Sequence, residues 1–161
     1  MFPTDIEVAI VAHNNLGALP ATLASLAAAG CPPESITVVD VASTDGTAGW
    51  LAREWPRVRV RQLSRNDGPS PGRNVGITEA SRRFVLLMDA DVRVQPDAVQ
   101  RLHAAMVADP TVKIGSPIAS SMPAAPFTTS ARRSIRGSIV RSRSAAPRRW
   151  TSAPLRRARC C

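Results

Sequence analysis

The sequence predicts an α/β domain built on a mainly parallel β-sheet, with helices packed on both faces. Two observations lead to this class. Short apolar, β-branched runs typical of strands alternate with segments of helical periodicity along residues 1–117. Each candidate strand is followed by a polar loop and a helix, which is the crossover that parallel pairing requires. In such folds ligands bind at the carboxyl ends of the strands.

The first part of the chain contains two strand–helix units. Residues 6–12 ("IEVAIVA") predict a buried strand. The leucines that follow are spaced by three, four and three residues, which places them on one helical face: Leu16, Leu19, Leu23 and Leu26. Residues 35–40 ("SITVVD") predict the second strand, and Thr44 or Asp45 is expected to cap the helix that follows.

The alternation continues with a half-exposed strand, a short helix, a strand, a helix and a short strand, at residues 58–63, 73–81, 84–89, 95–110 and 111–115. The turn-rich residues 64–72 are expected to form a loop. No apolar run reaches the roughly 20 residues that a membrane span needs. We therefore expect a cytoplasmic protein, with peripheral contact at a membrane surface left open.

The positive charge is concentrated at the C-terminal end. Residues 1–120 contain ten Arg, one Lys and all twelve acids, whereas residues 121–161 contain ten Arg and no acid. We therefore predict one domain at residues 1–117 and a disordered basic tail, rich in Arg, Ser, Ala and Pro, at residues 118–161. Since the charge lies in a tail, nucleic acid is not the expected partner; weak, salt-dependent polyanion binding by the tail is an alternative.

Asp89 and Asp91 stand at the end of the predicted fourth strand, in "FVLLMDADVRV". A carboxylate is costly at the end of a buried strand unless it is solvated, paired or bound to a metal. Mg²⁺ and Mn²⁺ prefer carboxylate oxygens and usually keep part of their coordination shell for substrate phosphates. The two acids are therefore a candidate clamp for a metal and a diphosphate, with an ordinary polar turn as the alternative.

Four motifs follow one another along residues 6–110: "AIVAHNN", "ITVVDVASTDGT", "NDGPSPGRNVGI" and "FVLLMDADVRV". In this order they resemble the donor-binding half of the family-2 glycosyltransferases, which have a Rossmann-like GT-A fold. The resemblance implies a nucleotide-sugar donor carrying UDP, GDP or dTDP, an unknown acceptor, Mg²⁺ or Mn²⁺ as cofactor, and inverting glycosyl transfer.

The resemblance also implies roles for individual residues. Asp40 would contact the base or ribose of the donor, and Arg73 would lie near the nucleotide or its phosphates. Asp89 would reach the ribose or the metal, and Asp91 would hold the cation against the diphosphate.

His13 and Asn14 are the remaining donor-binding candidates. His13 occupies the position where the family often has a tyrosine lining the base pocket, and a strand-end residue without a ligand is the alternative. Asp45 is expected to cap a loop or helix rather than to bind a ligand. Three glycines of the motifs are expected to serve backbone turns: Gly46, Gly68 and Gly76.

The motifs also depart from the family pattern. Val41 stands where the family usually has a second acid or amide, and Ala42 stands where it has glycine. Val11 and Ala12 replace a common Pro-Thr. These changes are expected to alter base recognition and leave the candidate metal clamp untouched.

An inverting transfer needs a general base that takes the proton of the acceptor hydroxyl. No Asp or Glu follows Asp109, so the catalytic base is unknown and the tail cannot supply a carboxylate. We therefore expect a truncated domain, and one hypothesis for the acid-free tail is a shifted reading frame. The alternatives are a non-catalytic nucleotide-binding remnant, a protein that interacts through its basic tail, and a sugar nucleotidyltransferase; the last lacks its usual Gly-rich phosphate loop here.

Overall fold

The computed structural model describes residues 1–109 and the backbone of two further short strands. The elements, in chain order, are β1 (Ile6–Ala12), α1 (Leu19–Ala28), β2 (Ile36–Val41), α2 (Thr47–Glu54), β3 (Arg59–Leu63), α3 (Pro69–Thr78), β4 (Phe84–Asp89), α4 (Ala98–Ala108), β5 (Ile114–Gly115) and β6 (Gly137–Arg141). The predicted α/β class is confirmed. The predicted disorder of residues 118–161 lies, apart from β6, outside the described residues.

The strands form a sheet of order β3-β2-β1-β4-β6-β5. The first four are parallel to one another, and β6 pairs antiparallel with both β4 and β5. The predicted mainly parallel sheet is therefore confirmed. Because Ala12 of β1 pairs with Asp40 and Val11 pairs with Asp89, the carboxyl ends of β1, β2 and β4 meet at one edge.

Helices cover both faces of the sheet, as predicted. The larger core cluster joins Val8 and Ile10 of β1 to buried side chains of three helices, among them Leu23 of α1, Leu51 of α2 and Met106 of α4. The smaller cluster on the other face contains Val11, Val39 and Val41, with Val75 of α3 packed against it. This division follows from the period of two along β1, whose successive side chains point to opposite faces.

Helix α3 corrects two predictions. It begins at Pro69, inside the segment predicted to be a loop, so that Pro69 lies in the first turn of the helix. Proline is tolerated there because the first backbone N–H groups of a helix have no intrahelical acceptor. Gly76 lies within this helix and not in a turn, whereas Gly46 and Gly68 have φ of 88° and 87° and do serve turns.

Strand β6 is an element that the sequence analysis did not predict. Its segment, "GSIVR", is short and lies in an arginine-rich surrounding, so its two β-branched residues gave too weak a signal. Its pairing with β4 supplies partners for backbone N–H and C=O groups that would otherwise face an open sheet edge. Within the part of the chain that the structure describes, no helix has the length and apolar character needed to cross a membrane.

Candidate functional site

The loops after β1 and β2 are tied together by side-chain hydrogen bonds. The Asn14 carbonyl Oδ1 accepts from the backbone N–H of Thr44 at 2.8 Å, and the Asn14 N–H donates to Ser43 Oγ at 2.9 Å. Asp45 Oδ2 accepts from the N–H of Leu16 at 2.9 Å. These bonds fix the two loops relative to each other, so the edge between β1 and β2 has a defined shape.

Asp45 also caps helix α2, as expected. Its Oδ1 accepts from the backbone N–H of Thr47 at 3.1 Å and from the Thr47 hydroxyl at 2.6 Å. The Thr47 hydroxyl, with smaller contributions from backbone N–H groups, lowers the pKa of the Asp45 carboxyl. Because the folded-state pKa is depressed, this contribution to stability is present above the unfolded pKa and is lost as pH falls through the folded value.

His13 directly follows β1, at the carboxyl edge of the sheet. Its Nδ1 is 2.7 Å from the carbonyl oxygen of Val41, and because a carbonyl only accepts, Nδ1 is the donor. Its Nε2 lies 3.4 Å from the side-chain nitrogen of Asn14. The exposed ring is thus held across the ends of β1 and β2. Its predicted part in base binding stays a prediction.

Asp40 shapes the loop after β2. The residue is only 3% exposed, and its Oδ1 accepts from the N–H of Ser43 at 3.0 Å. Ala42, between them, has φ of 53°, in the left-handed region. That conformation turns the chain back on Asp40, and glycine would adopt it without the steric cost that a Cβ brings.

Replacing Ala42 by glycine is expected to stabilise the fold. A left-handed residue with a Cβ costs roughly 1–2 kcal/mol, and the greater entropy of glycine in the unfolded chain offsets about 0.4–1 kcal/mol of this. We expect a net gain of about 0.5–1 kcal/mol, measured by urea unfolding.

The matched control is Ala24→Gly, an exposed position within α1. Glycine there should destabilise by about 0.8–1 kcal/mol because it lowers helix propensity. Equal losses for Ala42→Gly and Ala24→Gly would show that Ala42 does not hold the left-handed conformation.

Arg73 and Asp89 form an ion pair at the carboxyl end of β4, on the face of the sheet that α3 covers. The Arg73 Nη2 donates to Asp89 Oδ1 at 2.6 Å, and their side chains are 39% and 25% exposed. Asp89 pairs in register with Val11, so its side chain lies on the face covered by α3, which carries Arg73. Asp91, two residues on, is exposed and makes no hydrogen bond or ion pair with any of residues 1–109.

The carboxylates of Asp89 and Asp91 fit a cation only when substrate phosphates and water complete its coordination. Within the described residues no group of three or more His, Cys, Asp and Glu side chains is arranged to hold a metal ion. Mg²⁺ usually binds through one or two carboxylates together with substrate phosphates and water. Asp89 and Asp91 match that requirement, whereas a metal caged entirely by protein side chains does not fit this edge.

Glu7, which no sequence motif singles out, is a buried acid within β1 that is 2% exposed. Its Oε1 forms an ion pair with Arg59, and its Oε2 accepts from the N–H of Ser81 at 3.1 Å. Both partners lie toward the amino ends of the strands, so Glu7 is a structural residue remote from the site. The available signal was a lone acid in an apolar strand together with the alternating arginines of β3, which lies one strand beyond β2 in the sheet.

Solved structures with this architecture define its class. A fragment of Staphylococcus aureus TarS (residues 1–349) superposes with a TM-score of 0.61 at 25% identity, covering 86% of this chain and 47% of the fragment. The mannosyltransferase PcManGT from Pyrobaculum calidifontis, solved with GDP-Man and Mn²⁺, gives 0.61 at 24% identity, covering 71% and 35%. The domain therefore has the Rossmann-like GT-A fold of glycosyltransferases.

Sequence comparison assigns the family. The family described as "Glycosyl transferase family 2" matches residues 7–156, so the chain belongs to that family. A curated relative, the succinoglycan biosynthesis protein ExoO of Rhizobium meliloti (strain 1021), is 33% identical over 99 residues, which cover 61% of this chain and 28% of ExoO. The chain thus spans less than half the length of the relatives that it matches here.

Proposed function

We propose that the domain binds a nucleoside-diphosphate sugar and a divalent cation at the carboxyl edge of β1, β2 and β4, for inverting glycosyl transfer to an unknown acceptor. The observation that supports this most directly is the Arg73–Asp89 pair with the exposed Asp91 beside it. An arginine and two carboxylates at one strand end suit a ligand that carries both phosphate groups and a cation.

The roles that we propose for individual groups are those that the resemblance to the family implies. Asp91 and Asp89 hold Mg²⁺ or Mn²⁺, and Arg73 lies where it attracts the phosphates. Asp40, His13 and Asn14 bind the base and ribose. When bound, the cation offsets negative charge on the departing diphosphate.

The nucleotides bound by structural neighbours support this choice of ligand. TarS 1–349 has been solved with UDP and with UDP-GlcNAc, and PcManGT with GDP-Man and Mn²⁺. UDP and GDP are therefore the first nucleotides to test, with dTDP as the third candidate. The predicted cytoplasmic location and the peripheral membrane contact stay predictions.

A second candidate function is nucleotide binding without transfer. The observation in its favour is that residues 110–161 contain no Asp or Glu, so within this chain no carboxylate base follows the proposed metal site. The two functions differ in one measurable outcome: both bind a nucleotide, but only the first releases UDP or GDP from a sugar donor when an acceptor is present.

Metal removal is the direct test of binding. In calorimetric titrations we expect UDP or GDP to bind in the presence of Mn²⁺ or Mg²⁺. EDTA should weaken nucleotide binding at least about tenfold, because even the loss of a group that only supports a metal ligand lowers metal affinity about 10–100-fold. Binding of the same strength with EDTA would contradict a metal-bridged diphosphate, and binding of no nucleotide would overturn the proposed function.

The control addresses the ten arginines of residues 121–161, which attract any polyanion. Inorganic pyrophosphate, titrated at two salt concentrations, measures that non-specific attraction, which falls steeply with salt. Nucleotide binding at the proposed site should exceed pyrophosphate binding at high salt, because the base and ribose contacts do not depend on counterion release.

A further inference from the structure

The turn that follows β4, residues 89–94, has few backbone bonds of its own. Ala90 and Val92 are 2% and 8% exposed, whereas Asp91 and Arg93 face solvent. Within this turn the structure gives one backbone hydrogen bond, from Val92 N–H to the Asp89 carbonyl at 3.3 Å. Something beyond the turn must therefore hold the backbone on either side of Asp91.

Helix α1 supplies two hydroxyl groups to this turn. Thr22 Oγ1 donates to the carbonyl of Ala90 at 2.7 Å, in a buried position. Ser25 Oγ accepts from the N–H of Val94 at 3.0 Å and donates to the Thr22 carbonyl at 2.7 Å. Positions three apart lie on one side of a helix, so both hydroxyls face the turn.

The contact of Thr22 is not the ordinary behaviour of a hydroxyl in a helix. A threonine inside a helix commonly donates to the carbonyl four residues earlier. Thr22 lies 3.5 Å from that oxygen, of Ala18, and 2.7 Å from the Ala90 oxygen. Since a hydroxyl has one proton to donate, the shorter bond to the turn takes it.

The two bonds bracket Asp91. One acts on the residue before it and the other on the residue three positions after it. The backbone is therefore tied to α1 on both sides of Asp91. The leucine face of α1 explains why the helix packs on the sheet, but it does not explain two hydroxyls on the packed side.

We propose that Thr22 and Ser25 are positioning residues for the metal–diphosphate site: they fix the 89–94 turn and thereby hold Asp91 where it meets the cation. This inference rests on the proposed function, and it adds a requirement that the four sequence motifs do not contain. It assigns helix α1 a part in ligand binding as well as in the core.

The test uses Thr22→Val and Ser25→Ala in the full chain. Mn²⁺ affinity, read by electron paramagnetic resonance with and without UDP or GDP, is expected to fall about tenfold, at the low end of the effect of supporting groups around a metal. Nucleotide affinity in EDTA should stay unchanged. Thr22→Ser keeps the hydroxyl and should restore Mn²⁺ affinity to within about twofold of the parent chain.

Two further variants control for general loss of packing. Ser35→Ala removes a buried hydroxyl that has no hydrogen-bond partner among the described residues, and Thr37→Val removes a buried hydroxyl from β2. Both should leave Mn²⁺ affinity unchanged. An equal loss of Mn²⁺ affinity in Thr22→Val and Thr37→Val would overturn the inference. So would a Thr22→Val variant that loses nucleotide affinity equally with Mn²⁺ and with EDTA. Either result would make Thr22 a packing residue.

Amide hydrogen exchange separates this inference from the proposed function. In the chain without ligand, Ser25→Ala should speed exchange at the Val94 amide, and Thr22→Val should speed it at Asp91 and Val92, with Ser35→Ala and Thr37→Val changing neither. Unchanged exchange would overturn the inference whether or not a nucleotide binds. Faster exchange in a chain that binds neither nucleotide would uphold the contacts and overturn the metal–diphosphate site that they are proposed to serve.

Discussion

Replacing Gly76 by alanine is expected to destabilise the domain by about 2 kcal/mol. A Cβ built at Gly76 would lie 2.7 Å from the Cβ of Ala9, closer than packed carbon atoms approach. Ala9 is buried on β1, which has a paired strand on either side, so it cannot retreat. Because the Cβ of Ala9 cannot move away, the cost of overpacking lies at the upper end of the usual range, about 3 kcal/mol, and subtracting a gain of about 1 kcal/mol in helix propensity leaves about 2 kcal/mol.

Gly49 provides a matched control of the opposite sign. It also lies within a helix, α2, and a Cβ there would meet only the end of the Arg53 side chain at 3.6 Å. Gly49→Ala should therefore stabilise by about 0.5–1 kcal/mol. Urea unfolding of both variants tests the difference; stabilisation of similar size at both positions would mean that α3 does not approach β1 this closely.

The proposed metal site predicts that Asp91→Asn removes metal-dependent nucleotide binding. The substitution keeps the size of the side chain and removes its charge, so the cation loses a carboxylate ligand. We expect the Mn²⁺-dependent affinity for UDP or GDP to fall at least 10–100-fold, the range that groups supporting a metal ligand already reach. Because Asp91 is exposed, the midpoint of urea unfolding should not change.

Asp97→Asn is the control for this experiment. Asp97 is an exposed acid in the same connection between β4 and α4, and it pairs with Arg101 at 3.3 Å. Exposed pairs contribute about 0–1 kcal/mol, so this variant should bind nucleotide like the parent chain. If Asp91→Asn and Asp97→Asn bind equally well with Mn²⁺, then Asp91 is not a metal ligand and the acid pair is an ordinary polar turn.

The sequence predicted most of the fold because its strongest signals are local. The β-branched runs of β1, β2 and β4 and the leucines of α1 have periods that specify element type directly. The limits of α3 were not predicted, since prolines at residues 69 and 71 indicate a loop unless the helix is known to begin there. Strand β6 was missed because its own residues give a weak signal and its pairing with β4 joins residues about 50 positions apart along the chain.

The candidate site was predicted as a set of residues but not as an arrangement. The motifs named Arg73, Asp89 and Asp91, and the parallel topology implied that the two acids after β4 lie at the ligand-binding edge of the sheet. The pairing of Arg73 with Asp89 was not foreseen, nor were the hydroxyl contacts of Thr22 and Ser25 with the turn. These contacts join residues that are 16 to 69 positions apart.

The amino-acid sequence by itself determined the α/β class, the mainly parallel character of the sheet and the family to which the chain belongs. Each of these depends on local periodicity or on short motifs. Only the tertiary structure decided which glycine permits close packing, which acid is neutralised by an arginine, and which helix holds the turn around Asp91. Those properties depend on distances between atoms of different elements, and such distances exist only once the sheet and helices have packed together.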